Sequence, residues 1–168
     1  PFVVGVLGNF SGHQEIEPSD VRAFRTIDRD NFTEIMRELN VGLQITPPDS
    51  ISPQAAGSEL KLRFENIGDF DSSVVAEQIR RLGDQSEAAV SGILTEVLQN
   101  RDFCKLEALW RELNSLVNRT ETSSRLQIRV LPCTDAELRG EFADSPSSLP
   151  SILEHVLARE MFSTSKSE

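Results

Sequence analysis

One stretch, residues 102–131 (DFCKLEALWRELNSLVNRTETSSRLQIRVL), limits what this chain can fold into more than any other. Phe103, Leu106, Trp110, Leu113 and Val117 recur at spacings of three and four, which places them on one stripe of an α-helix. Glu107 and Arg111 stand four apart on the opposite side, in the order that favours an ion pair. A polar corner over 118–124 follows. Leu126, Ile128 and Val130 then alternate with Gln127 and Arg129, the period of a strand with one buried face. Nothing in the stretch carries obvious chemistry.

The rest of the chain supplies partners for that helix and strand. Residues 2–7 (FVVGVL) form an almost unbroken apolar run rich in valine, which predicts a buried strand. A polar loop over 8–19 follows. Asp28 or Asp30 is placed to cap a helix carrying Phe32, Ile35, Met36 and Leu39. Val41, Leu43 and Ile45 alternate as a second strand, which Pro47 and Pro48 stop. After a Pro/Ser/Gly loop, Leu60, Leu62 and Phe64 alternate as a third strand. Asp71 or Ser72 then opens a helix with Val75, Ile79 and Leu82 inward.

Residues 86–100 read as a helix with Val90, Ile93, Leu94, Val97 and Leu98 on one face, running through Arg101 and Asp102 into the Trp110 helix. Beyond the 126–131 strand, Thr134 and Glu137 form a T-x-x-E capping box for a short helix through Phe142. SPSSLP (145–150) marks a turn, and Ile152, Leu153, Val156 and Leu157 a last helix. The expected class is α/β (α+β): a mixed sheet of about four strands packed with amphipathic helices. Two half-domains, 1–83 and 86–162, are expected to share one core, because neither has strands enough for a sheet alone. Residues 163–168 read as a disordered tail.

Charge narrows the function. Net charge is −10 and the pI near 4.7, with Arg22, Arg25, Arg29, Arg80 and Arg81 dispersed among acids as solvated faces or protein-contact charges. A nucleic-acid partner calls for a basic face, so none is expected. No run approaches the roughly 20 apolar residues of a membrane helix, and no signal peptide is visible, so the expectation is a cytoplasmic protein without membrane insertion. Cys104 and Cys133 read as buried free thiols. The chain starts at Pro1 directly in a strand, which suggests further residues upstream.

Four groups invite a chemical reading. Gly5, Gly8 and Gly12 of GVLGNFSG follow a strand but match neither G-x-G-x-x-G nor GK[ST], so a nucleotide-binding loop is the rival reading and a glycine-eased strand exit the preferred one. Asp28, Asp30 and Glu34 lack the glycine and closing glutamate of a calcium loop and suit first-turn acidity. His13 and His155 have no partner at a spacing that marks a zinc site or a triad. Trp110 is read as core before binding hot spot. No catalytic, cofactor or metal residue is assigned, and no cofactor is expected.

Two resemblances then emerge. PFVVGVLGNFSG, RTIDRDNFTEIMRELNVGLQI and ELKLRFENIGDFDSSVVAEQI resemble the small subunit of the type VI secretion contractile sheath, with Phe64, Asp69, Phe70 and Val74 on its motif positions. Residues from LTEVLQN to TDAEL resemble the N-terminal part of the large sheath subunit. Its motif positions are held by Phe103, Leu106, Glu107, Trp110, Arg111, Leu113, Leu116, Val117, Arg119 and Thr120. Glu112 stands where that family has glycine, and Asn9 where an aspartate is commoner.

The resemblance implies a non-enzymatic bacterial structural protein, a single-chain mimic of the small–large heterodimer core, with other sheath, baseplate or tube proteins as partners. Self-association, and an accessory role in capping or regulating the sheath, are alternatives. In the family, terminal strands knit neighbours into a shared sheet. Phe2, Val4, Phe32, Leu62, Phe64, Phe103, Leu106, Trp110, Leu113, Val117 and Ile128 are the residues expected to form the core or subunit contacts.

Overall fold

The computed structural model describes residues 2–12, 22–47, 59–81, 86–134 and 136–139. Two compact units emerge, and neither is a continuous piece of chain. Unit 1 gathers residues 1–9, 14–27 and 122–168; unit 2 gathers 10–13 and 28–121. The class is the expected mixture of sheet and helix. The division differs from the expected seam at 83–86, because the helices on either side of it belong to the same unit.

Unit 1 holds a three-stranded mixed sheet in the order β1 (Phe2–Gly8), β5 (Leu126–Pro132), β2 (Arg25–Ile27). β1 runs parallel to β5, from Phe2 opposite Leu126 to Gly8 opposite Pro132, and β2 runs antiparallel to it. β2 was not legible because three residues cannot show a period. At the end of β5, Leu131 and the Cys133 thiol are buried under the half-buried Leu7, Phe24 and Leu138. The T-x-x-E box forms as read. Thr134 N–H donates to Glu137 Oε2 at 2.8 Å, and Glu137 N–H donates to Thr134 Oγ1 at 3.1 Å.

Arg22 corrects the reading of the arginines as solvated faces. Its side chain is 5% exposed, reaches Glu137 Oε1 at 2.6 Å, and donates to the Pro132 carbonyl at 3.2 Å.

Unit 2 packs α1 (Phe32–Glu38), α2 (Ser72–Arg81), α3 (Glu87–Gln99) and α4 (Arg101–Arg119) with an antiparallel ribbon of β3 (Gly42–Ile45) and β4 (Leu60–Arg63). A 3-10 turn, Ile67–Phe70, joins β4 to α2. Its corner is tied by Asp69, whose Oδ2 accepts from the N–H groups of Glu65 (2.7 Å) and Asn66 (3.1 Å).

The core is aromatic. Phe64 stacks on Phe70 with centroids 4.3 Å apart, and Phe103 lies against both rings. Trp110, fully buried, meets Phe10 and Phe32 edge to face at 5.4 and 5.5 Å. Its indole N–H donates to the Phe10 carbonyl at 2.9 Å. Phe64 and Phe70, which precede the expected seam, therefore share one core with Phe103, which follows it.

Three local readings need correction. Asp28 does not cap α1: its carboxylate accepts from the N–H groups of Asp30 and Asn31, folding a tight turn ahead of the helix. α3 does not run straight into α4, because Asn100 leaves the helical conformation and caps α4 through the N–H groups of Asp102 and Phe103. Cys104 is exposed rather than buried, and Leu98 is 37% exposed on the outer side of α3. The expected seam residues 83–85, His13, the 145–150 turn, the last helix with His155 and the 163–168 tail lie outside the described residues.

Candidate assembly edge

The apolar run 2–7 does form a strand, but not a buried one. In the order β1-β5-β2, β1 has a neighbour on one side only among the described residues. Phe2 is 80% exposed, Val3 51% and Val4 41%. Three β-branched valines favour the extended backbone wherever the strand lies, so composition alone does not separate an edge strand from a central one.

The ladder phase fixes which main-chain groups remain open. In a parallel pair, alternate residues bond to the neighbouring strand and those between point away from it. Phe2 N–H donates to the Arg125 carbonyl at 2.7 Å, and Cys133 N–H donates to the Gly8 carbonyl at 2.9 Å. Phe2, Val4, Val6 and Gly8 therefore face β5, while the N–H and C=O groups of Val3, Gly5 and Leu7 point to the outer edge. Those groups have no partner among the described residues. The side chains follow the other alternation, so Phe2 and Val4 share one face and Val3 the opposite one.

Both faces of this half of the strand are bare. Gly5 lies beside the Phe24 ring, where an added Cβ would come within 3.4 Å. No titratable side chain occurs between residues 2 and 8. The cross-strand neighbour of Gly5 is Arg129, whose guanidinium is held by Gln127 Oε1 at 3.0 and 3.2 Å. The edge thus offers a row of backbone donors and acceptors flanked by valine and phenylalanine. Such a surface can add a strand.

The residues singled out in the sequence divide between the two units. Phe2 and Val4 lie on the exposed strand, and Ile128 is buried in β5 as the ladder partner of Val4. Phe32, Leu62, Phe64, Phe103, Leu106, Trp110, Leu113 and Val117 are all buried in unit 2. Glu112 is exposed on α4, off the apolar stripe.

The glycine loop is accounted for by packing. Gly5 and Gly8 lie in β1. Gly12, at φ +78°, approaches so closely that a Cβ would sit 2.2 Å from the Gly42 carbonyl oxygen. The space at Gly12 is taken by protein backbone rather than left open for a phosphate.

Among the described residues no three His, Cys, Asp or Glu side chains converge as a metal site. None of the described helices is long and apolar enough to cross a membrane. Missed in the sequence were the outward main-chain row at Val3, Gly5 and Leu7, the buried Phe10, and the Arg22–Glu137 pair. No signal in residues 2–8 marks the first, because a run without charge reads as buried.

Comparison with known proteins adds the family. Residues 1–130 match the family model described as "Type VI secretion system, VipA, VC_A0107 or Hcp2", a match that crosses the expected seam. The type VI secretion system sheath protein TssC1 of Pseudomonas aeruginosa is 40% identical over 52 residues, covering 31% of this chain and 10% of that protein. The alignment thus takes in about a tenth of the curated relative's length. No solved structure matches.

Proposed function

Because the chain belongs to the VipA family of the type VI secretion system, we propose that it is a non-enzymatic structural component of the contractile sheath that joins its neighbours through the β1 edge. The observation that carries this reading is the outward row of main-chain groups at Val3, Gly5 and Leu7, bordered by the bare side chains of Phe2, Val3 and Val4. A strand laid along β1 pairs with those groups and covers the flanks of the three side chains, which project from the two faces of the sheet.

The finer reading is that one polypeptide stands in for the core of a small–large subunit pair. Likeness to both VipA and TssC1 in one chain supports it. So does the joint packing of Phe64 and Phe70 with Phe103, and the pairing of β1 with β5. The partners are then other sheath subunits.

A second reading, a protein that caps or limits the sheath, is favoured by the asymmetry of the sheet. β1 offers seven residues at one edge, whereas β2 offers three at the other.

Incorporation of fluorescently labelled chain into tubes grown from purified small and large sheath subunits, seen by electron microscopy, tests the proposal. Labelled tubes of normal length are expected, and Val3→Pro abolishes the labelling. Proline there removes an outward N–H without touching the β5 ladder. Equal labelling with Val3→Pro sinks the β1 edge reading, and labelled but shortened tubes move the assignment to the cap.

A further inference from the structure

The molecule has a second pair of strands with edges, and there one position on each edge is occupied. β3 and β4 form a ribbon of two strands, which by itself leaves both outer sides available for pairing. Phe64 N–H donates to the Val41 carbonyl at 2.9 Å, which sets the ladder phase. The main-chain groups of Arg63 therefore point away from β3, and those of its cross-strand partner Gly42 point away from β4.

Each outward side has found a substitute partner. On the β4 side the amide of Gln78, from α2, meets Arg63 twice: Oε1 accepts from Arg63 N–H at 3.0 Å, and Nε2 donates to the Arg63 carbonyl at 2.8 Å. That is the pair of bonds which a residue of an added antiparallel strand exchanges with its neighbour. On the β3 side the Ser11 carbonyl accepts from Gly42 N–H at 2.9 Å. The two closures fall on one cross-strand pair, Gly42 and Arg63.

The closure on the β4 side is not a by-product of burial. Arg63 and its neighbour Lys61 are exposed, and a groove of about 460 Å3 lined by Lys61, Arg63, Asn66 and Arg81 leads to this edge from solvent. An incoming strand could reach it. The next outward position along β4 is Lys61, a charge of the kind that discourages strand addition at exposed edges.

We infer that Gln78 is a strand-edge plug, an amide that occupies the place of a partner residue at Arg63 and so keeps β4 from pairing with another chain. Strand addition is thereby steered away from β4 and toward edges such as β1, where no described side chain performs this service. The directional half of the inference rests on the β1 reading given above; the plug itself does not.

Hydrogen exchange of the intact protein, read at single amides by NMR, tests the plug. In Gln78→Leu, which keeps the side-chain size and helix propensity but removes both bonds, Arg63 N–H exchanges about 3- to 10-fold faster. The amides of Leu62 and Phe64, which face β3, keep their rates. Gln78→Asn, one methylene shorter, gives the same pattern and serves if the leucine variant does not fold. An unchanged Arg63 rate in both variants overturns the plug.

Sedimentation supplies the second arm, in a Val3→Pro background that disables β1. There Gln78→Leu produces concentration-dependent association that the Val3→Pro parent lacks. Absence of any new association overturns the claim that the plug prevents pairing. A failure of Val3→Pro to alter tube labelling strikes only the β1 reading and leaves the Arg63 result standing.

Discussion

Trp110 shows how one residue type can be read and still be incompletely understood from sequence. Its place on an apolar stripe was legible from spacing alone, and it is fully buried. What spacing could not supply is the acceptor of its indole N–H, the Phe10 carbonyl 100 positions earlier. Nor could it supply the two rings, Phe10 and Phe32, set edge to face around it. Such a contact depends on where a distant loop passes, which no local period encodes. Trp110→Phe keeps an aromatic ring but leaves the Phe10 carbonyl without its donor and a void where the indole's second ring was. The expected cost is about 2–4 kcal/mol, from a buried unsatisfied acceptor together with the cavity. Urea unfolding followed by circular dichroism measures it, and a loss under about 0.5 kcal/mol contradicts the packing described.

At the scale of elements, periodicity located α1, α4 and β5 but misjudged their surroundings. The apolar composition of 2–7 predicts a buried strand, but burial needs neighbours on both sides, and among the described residues β1 has one. Asn100 broke what looked like one long helical segment, since its carbonyl side chain competes for the N–H groups of the next turn. By contrast, the turn that follows β5 was legible from four letters, because T-x-x-E carries its own geometry. Its glutamate also carries a titration.

Hydrogen bonds from Arg22, and then from the Thr134 N–H and hydroxyl, lower the Glu137 carboxyl from 4.5 to about 2, against the opposing effect of burial. A carboxyl depressed in the folded state contributes stability that is fully present above its unfolded pKa and is lost as pH falls through the folded value. For Glu137 the window therefore runs from about pH 4.5 down to about pH 2. Glu137→Gln is expected to lower stability by a constant amount above pH 5, on the order of 2 kcal/mol, read as a lower melting temperature. The gap from the parent then narrows steadily toward pH 2. A gap that does not change between pH 6 and pH 2.5 removes Glu137 from the account.

At the scale of the whole molecule, the mixture of sheet and helix was legible, but the division into units was not. The eye follows sequence and places a seam where glycine and polar residues interrupt the pattern. The chain instead returns: its start and its later part form unit 1, and its middle forms unit 2. The units also differ in what holds them together. Unit 2 rests on the aromatic cluster of Phe10, Phe32, Phe64, Phe70, Phe103 and Trp110, whereas the buried core side chains in the described part of unit 1 are Ile27, Ile128, Val130, Leu131 and Cys133, none of them aromatic. Hydrogen exchange in rising, sub-denaturing urea is therefore expected to release the β5 amides of Ile128 and Val130 before the α4 amides of Leu113 and Val117. Simultaneous release of all four is the result that contradicts separate stabilities.

The parallel pairing of β1 with β5 also sets a schedule. During synthesis the Phe2–Gly8 segment leaves the ribosome early, whereas its ladder partner, beginning opposite Phe2 at Leu126, leaves only after every residue of unit 2 has been made. Throughout that interval β1 has neither its inner nor its outer hydrogen-bonding row engaged. The nascent chain thus carries an unpaired valine-rich ribbon until β5 arrives.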